Sequence, residues 1–134
     1  MHVINVAPET VFQALSDSTR IRIVRLLAEG NEEACLCEIA DSLDEPQYKL
    51  SRHLKVLRQS GLLSASKEGR WVYHCLVQGS PFFDSLISSI RALSDQDKMF
   101  STDQKKFRKR IPQRDGGRCR TESVSSKEQS RKTR

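Results

Sequence analysis

The sequence predicts a mainly α fold of the α+β class, a winged helix-turn-helix whose wing is a two-stranded β-hairpin. Three observations predict it. Apolar residues recur at helical spacing in short segments between residues 8 and 93. One of these segments, about 46 to 60, carries a basic outer face and directly follows another short helix. Two runs rich in β-forming residues then flank a glycine-containing turn, which reads as a hairpin.

Taken in chain order, Val11, Phe12 and Leu15 mark a helix over about 8 to 15, and Ile21, Ile23, Val24, Leu26 and Leu27 mark another over about 18 to 28. Asp17 and Ser18 interrupt them and suit the cap of the second helix. Gly30 suits a left-handed residue after its end. Leu36, Ile39 and Leu43 predict a third helix over about 36 to 43. Asp44, Glu45 and Pro46 form a break and a new start, because proline is tolerated in a first helical turn. In the fourth helix Leu50, Leu54 and Leu57 form one apolar stripe, and Gly61 stops it. The hairpin pairs residues 62–66 with 71–76 around Lys67, Glu68, Gly69 and Arg70. Pro81 opens a last helix that carries Phe83, Leu86, Ile87, Ile90 and Leu93.

Length and charge bound what the chain can be. Its 134 residues suffice for one domain, and at 37 % hydrophobic content part of the chain is expected to lie outside the core. The expected division is a winged helix-turn-helix domain over residues 1–97 and a basic, disordered tail over 98–134. Phe100, Phe107 and Ile111 are the residues there that could extend a helix to about 110. Residues 98–134 hold 13 Lys and Arg against 4 Asp and Glu, whereas residues 1–97 are slightly acidic. Within 46–70 the sign reverses, since six basic residues face only Glu68. A basic stretch on an acidic body is a candidate footprint for nucleic acid.

The arrangement of two short helices and a hairpin gives that charge a geometry. A helix fits the major groove of DNA with its N-terminal residues against base edges. Gln47 can pair with adenine, and Arg52 suits guanine or phosphate. Tyr48 and Ser51 share this N-terminal half, while Lys49, Lys55 and Arg58 suit phosphate contacts. His53, inside the same helix, suits an orienting hydrogen bond or a phosphate contact. Lys67 and Arg70 at the hairpin tip can touch backbone or minor groove. Singly, each of these reads better as an exposed polar side chain; the arrangement points to DNA.

Several of these stretches resemble a known family. Leu50-Ser51-Arg52-His53-Leu54-Lys55-Val56-Leu57-Arg58, then Ser60-Gly61-Leu62-Leu63, then Gly69-Arg70-Trp71-Val72-Tyr73, are similar to the ArsR/SmtB family of metal-responsive repressors. Residues 14–23, ALSDSTRIRI, resemble that family's N-terminal signature. The resemblance covers roughly residues 10–93. It implies a homodimer that pairs through its terminal helices, double-stranded operator DNA as partner, and release of that DNA when a ligand binds.

The stretch ACLCEIA, residues 34–40, sharpens the resemblance. The arsenic-sensing branch carries three cysteines here, and Cys35 and Cys37 match the first two, while Ala40 stands at the third. The resemblance implies As(III) or Sb(III) as effector, with no catalytic cofactor. Such soft, thiophilic centres suit three thiolates. The third donor is open among Cys119, Cys75, the partner chain and an outside thiol. Cys119 is preferred, because some relatives use cysteines near the C-terminus. On a regular helix, residues i and i+2 point about 200° apart. The two thiols are therefore expected to meet only if the first turn of the third helix unwinds. A helix N-terminus favours the thiolate, while Glu32, Glu33 and Glu38 oppose it. The zinc-sensing branch uses Asp and His on the last helix; this one offers Asp84 and no histidine.

Other readings of the cysteines stay open. One could pack as a small apolar residue. The pair could instead oxidise, making the protein a thiol-based redox-sensing repressor of the same fold, although a disulfide across one residue is strained. An enzyme is not expected: there is no phosphate-cradling glycine loop, no C-x-x-C, and no general base beside the thiols. No apolar run nears the roughly 18 residues of a membrane span, and no secretory signal is apparent, so the expected location is cytoplasmic and no membrane partner is expected.

Overall fold

Helix α1 (Pro8–Ala14) begins on a proline whose missing amide would have lacked a helical partner anyway. Helix α2 (Ser18–Gly30) is capped by Asp17, whose Oδ1 accepts from the amides of Thr19 and Arg20 at 2.9 and 3.1 Å. The computed structural model describes residues 6–30 and 32–114. Buried along α2 are Ile23, Val24, Leu26 and Leu27, which make it the central helix of the core.

Strand β1 (Ala34–Cys35) leads directly into α3 (Leu36–Leu43), and Asp44 ends that helix in the left-handed conformation, φ 55°. Helix α4 (Gln47–Gln59) follows Pro46 and buries Leu50, Leu54 and Leu57 against α2, α3 and the sheet. Gly61, at φ +85°, turns the chain where a side chain would be strained; a Cβ there would also lie 3.4 Å from the Phe83 ring.

Strands β2 (Leu63–Glu68) and β3 (Trp71–Leu76) form the hairpin, in register Leu63 with Leu76 through Glu68 with Trp71. Its turn holds Gly69 at φ +60°. The hairpin gains a third member that the sequence did not predict: β1 pairs antiparallel with β3, Ala34 with His74 and Cys35 with Tyr73. Two residues are too few to show an alternating pattern. Helix α5 (Pro81–Arg91) is capped by Ser80, whose Oγ accepts from the Phe83 amide, and it packs on α2.

The segment expected as a tail from residue 98 is helical over its first part, reaching Arg110 as the apolar residues Phe100, Phe107 and Ile111 allowed. Residues Met99–Arg110 form helix α6, followed by a 3-10 turn at Ile111–Gln113. Asp95 caps α6, its carboxylate accepting from the amides of Phe100 and Ser101 and from the Ser101 hydroxyl. Helix α6 packs on α2 and α3. Its inner face is largely polar: Asp103, Gln104 and Arg110 are buried beside Phe107. Hydropathy cannot reveal such a face, because its partners lie far away in sequence. Arg22 donates twice to Asp103, at 2.8 and 2.9 Å, and Arg110 Nε donates to Asp41 at 2.9 Å. The remainder of the expected tail, from residue 115, lies outside the described residues.

Candidate functional site

The two thiols of the sequence motif meet. Cys35 Sγ and Cys37 Sγ are 3.0 Å apart, both buried, and α3 is intact beneath them. The expectation that the helix must unwind is thereby corrected. It assumed that both residues are helical, whereas Cys35 is the cap, in extended conformation at φ −89°, ψ 166°, and belongs to β1. A strand residue and the second residue of the following helix can aim their side chains at one point.

The junction is held by a capping box. The Cys35 amide donates to Glu38 Oε1 at 3.1 Å, while the Cys35 sulfur faces the Glu38 amide. Glu38 is fully buried, and Arg114, just beyond the 3-10 turn, donates to both of its oxygens at 2.6 and 2.7 Å. Arg114 also donates to the Glu33 carbonyl at 2.7 Å and lies over the Tyr73 ring. Burial works against the Arg114 charge, but Glu38, and then Glu32 and Cys35, outweigh it and raise its pKa above the ordinary guanidinium value. Arg110 Nη2 donates to Cys37 Sγ at 3.6 Å. Tyr73 and Trp71 of β3 complete the packing around the sulfurs.

These surroundings were not visible in the sequence. Arg110 and Arg114 are four apart, a helical spacing, but nothing local distinguishes them from the other basic residues around them. Of the possible third donors, Cys75 lies on the hairpin, with its sulfur 3.2 Å from Ser64 Oγ. No group of three or more His, Cys, Asp or Glu able to hold a metal occurs among the described residues. Cys119 lies outside them.

The residues expected to touch DNA fall on one helix and the hairpin. Tyr48, Ser51, Arg52, Lys55 and Arg58 are exposed on α4, and Lys67 and Arg70 are exposed at the hairpin tip. Gln47 is half-buried at the first turn of α4. Lys49 pairs with Glu45 at 3.1 Å. His53 is half-buried and engaged within the protein: its Nδ1 lies 3.2 Å from Arg20 Nη1 and 4.0 Å from Asp17 Oδ1. Arg70 stacks on the Trp71 ring at 4.8 Å.

A cavity of about 490 Å³ separates α4 from the hairpin. Gln47, Ser51, Arg58, Arg70 and His74 line it, and Cys35, Leu36 and Cys37 form one wall. The thiol junction thus borders the cleft between α4 and the hairpin. His74 is buried, and its pKa is pushed down to about 4, mainly by that burial and further by the Arg58 charge. No helix among the described residues is long and apolar enough to cross a membrane.

Comparison with known proteins places this architecture. Residues 17–65 match the model of the bacterial regulatory protein, arsR family. The chain is 40 % identical over 92 residues to the arsenical resistance operon repressor of Escherichia coli K12, covering 69 % of this chain and 78 % of that protein. It is 44 % identical over 71 residues to the arsenic resistance transcriptional regulator ArsR2 of Pseudomonas putida KT2440, covering 53 % and 61 %. Among solved structures, HlyU from Vibrio cholerae N16961 superposes with a TM-score of 0.58 at 27 % identity, over 66 % of this chain and 91 % of that one. The chain belongs to the arsR family of bacterial winged helix-turn-helix transcriptional regulators.

Proposed function

We propose that this protein is a homodimeric repressor that holds operator DNA and releases it when trivalent arsenic or antimony is bound by Cys35, Cys37 and Cys119. The observation that carries the reading is the Cys35–Cys37 sulfur separation of 3.0 Å at a junction between the hairpin sheet and the helix-turn-helix. The resistance repressors it resembles, named for arsenic, support the same effector.

The chemistry is ligand exchange without oxidation. Three sulfur–arsenic bonds form and three arsenic–oxygen bonds of arsenous acid break. Each hydroxide departs as water with a thiol proton. A pair of converging thiols supplies two bonds at once. For the third, the chain is moored at Arg114, which bonds Glu33 and Glu38 on either side of Cys35. Cys119 follows Arg114 by five positions, so a fully extended tether spans at most about 18 Å.

Release follows from where the pair sits. Cys35 is paired to β3 of the wing, and Cys37 belongs to the helix that packs on α4. A third bond that draws both sulfurs toward one centre shifts the wing strand relative to the reading helix. Half-sites a helical turn apart punish small misplacements. Dimerisation through α1 and α5 is supported by exposed aromatics there: Phe12 and Phe82 are 54 % and 38 % exposed and meet edge to face at 6.1 Å.

The test is an arsenite titration of the reduced full-length protein, followed by sulfur–arsenic ultraviolet absorption. Cys35→Ser and Cys37→Ser should each abolish the band, Cys119→Ser should weaken binding, and Cys75→Ser should leave it unchanged. A full band in Cys37→Ser overturns the assignment.

A further inference from the structure

Among the features outside the ligand set, the buried arginine at the end of α6 stands closest to the chemistry. Arg110 has a side chain only 3 % exposed, donates to Cys37 Sγ at 3.6 Å, and donates through Nε to Asp41 at 2.9 Å. Asp41 lies four residues beyond Cys37, one turn along α3. The guanidinium therefore bridges a ligand sulfur to the helix that carries it. We propose that Arg110 is a positioning residue of the effector site, so that α6, a helix outside the helix-turn-helix, is part of the sensor. The inference rests on the reading of Cys35 and Cys37 as metalloid ligands.

A cysteine side chain has one rotatable bond that aims its sulfur, and in a buried site that rotor follows its hydrogen-bond partners. At Cys37 a charged N–H donor reaches the sulfur, and its fork is fixed because Asp41 holds another nitrogen. The donor is held further because α6 and the residue after its 3-10 turn are each anchored once more. Asp103 binds Arg22 of α2, and Arg114 binds Glu38 of α3. The sulfur of Cys37 is thus held toward Cys35 before any effector arrives. A sulfur bound to arsenic keeps lone pairs, so the same N–H can continue to donate to it in the liganded state. Groups that orient ligands in this way commonly tune metal affinity 10- to 100-fold.

The test compares Arg110→Gln, Arg110→Lys and Asp41→Asn in the full chain, reduced, with arsenite as the probe. Sulfur–arsenic absorption reports binding, and anisotropy of labelled operator without arsenite reports the DNA-binding fold. Arg110→Gln should weaken arsenite binding about 10- to 100-fold and shift the absorption band, while effector-free operator affinity stays within about threefold. Arg110→Lys, which keeps a charged donor, should recover most of the loss. If Arg110→Gln binds arsenite as the unchanged protein does, or if Arg110→Lys is no better than Arg110→Gln, the proposal is overturned. Should Arg110→Gln lose operator binding as well, Asp41→Asn decides. It removes the carboxylate charge that holds the guanidinium and should weaken arsenite binding several-fold, and an undiminished affinity overturns the proposal. An unchanged protein that shows no sulfur–arsenic band overturns the ligand reading beneath it, a distinct failure.

Discussion

Cys35 pairs with Tyr73 across a strand ladder, although it is also the residue that caps α3. This double membership puts its sulfur beside that of Cys37 and ties both to the wing. An effector bound at the pair, as proposed, would act on the hairpin and on the helix-turn-helix together, through covalent and ladder connections that need no unwinding.

The anchoring of α6 predicts a large stability effect. Asp103 has a side chain 3 % exposed and accepts twice from Arg22, whose own side chain is 13 % exposed. Burial opposes the arginine's charge, yet the Asp103 bond, supported by Glu45 and Asp44, holds its pKa above the ordinary value. Asp103→Ala leaves that charge buried with its principal partner gone and should destabilise the fold by about 3 kcal/mol, measured by urea denaturation. A change near 0.5 kcal/mol would be typical of an exposed pair and would mean that α6 is loosely held.

Acid should weaken the fold through His74. Its ordinary pKa of 6.5 falls to about 4 in the folded protein, chiefly because burial penalises the charged ring. The unfolded chain therefore takes up this proton first. Stability is full above pH 6.5 and declines as pH falls toward 4, by up to about 3 kcal/mol from this residue. His74→Asn should flatten that part of the pH dependence relative to the unchanged protein, as followed by denaturant midpoints at pH 7, 6 and 5. Parallel curves for the two proteins would contradict it.

On DNA, side chains that position should behave differently from side chains that read. Lys55 is exposed on α4, and Lys55→Ala should reduce the salt slope of operator binding by about one while weakening all sequences alike. Gln47 sits at the first turn of α4, and Gln47→Ala should instead lower discrimination at one base pair, at a cost of about 1–3 kcal/mol. Anisotropy on operator and on scrambled duplex over a salt series separates the two. Equal slopes for Lys55→Ala and the unchanged protein would remove the phosphate contact.

Much of this architecture is legible in the chain because its signals are local. The stripe of Leu50, Leu54 and Leu57, the Asp17 cap and the Gly69 turn are each decided by residues a few positions apart. The missing parts are those fixed by distant partners. Strand β1 exists because β3 offers it a ladder, and the packing of α6, though not the chance of a helix there, is fixed by Arg22 and Asp41, up to 81 residues away. The candidate site shows the same division. Its two cysteines stand out by type and spacing, but their convergence depends on the cap conformation at Cys35, and the arginines around them look like surface charge until the fold brings them in.

Filling the Cys35–Cys37 junction is proposed to loosen the grip on DNA. Operator anisotropy at saturating arsenite, in the unchanged protein and in Cys37→Ser, measures this. Arsenite should weaken the unchanged protein's affinity on the order of 100-fold, a coupling of about 3 kcal/mol, and leave Cys37→Ser bound. An operator affinity that arsenite does not alter, or an equal release from Cys37→Ser, would contradict it.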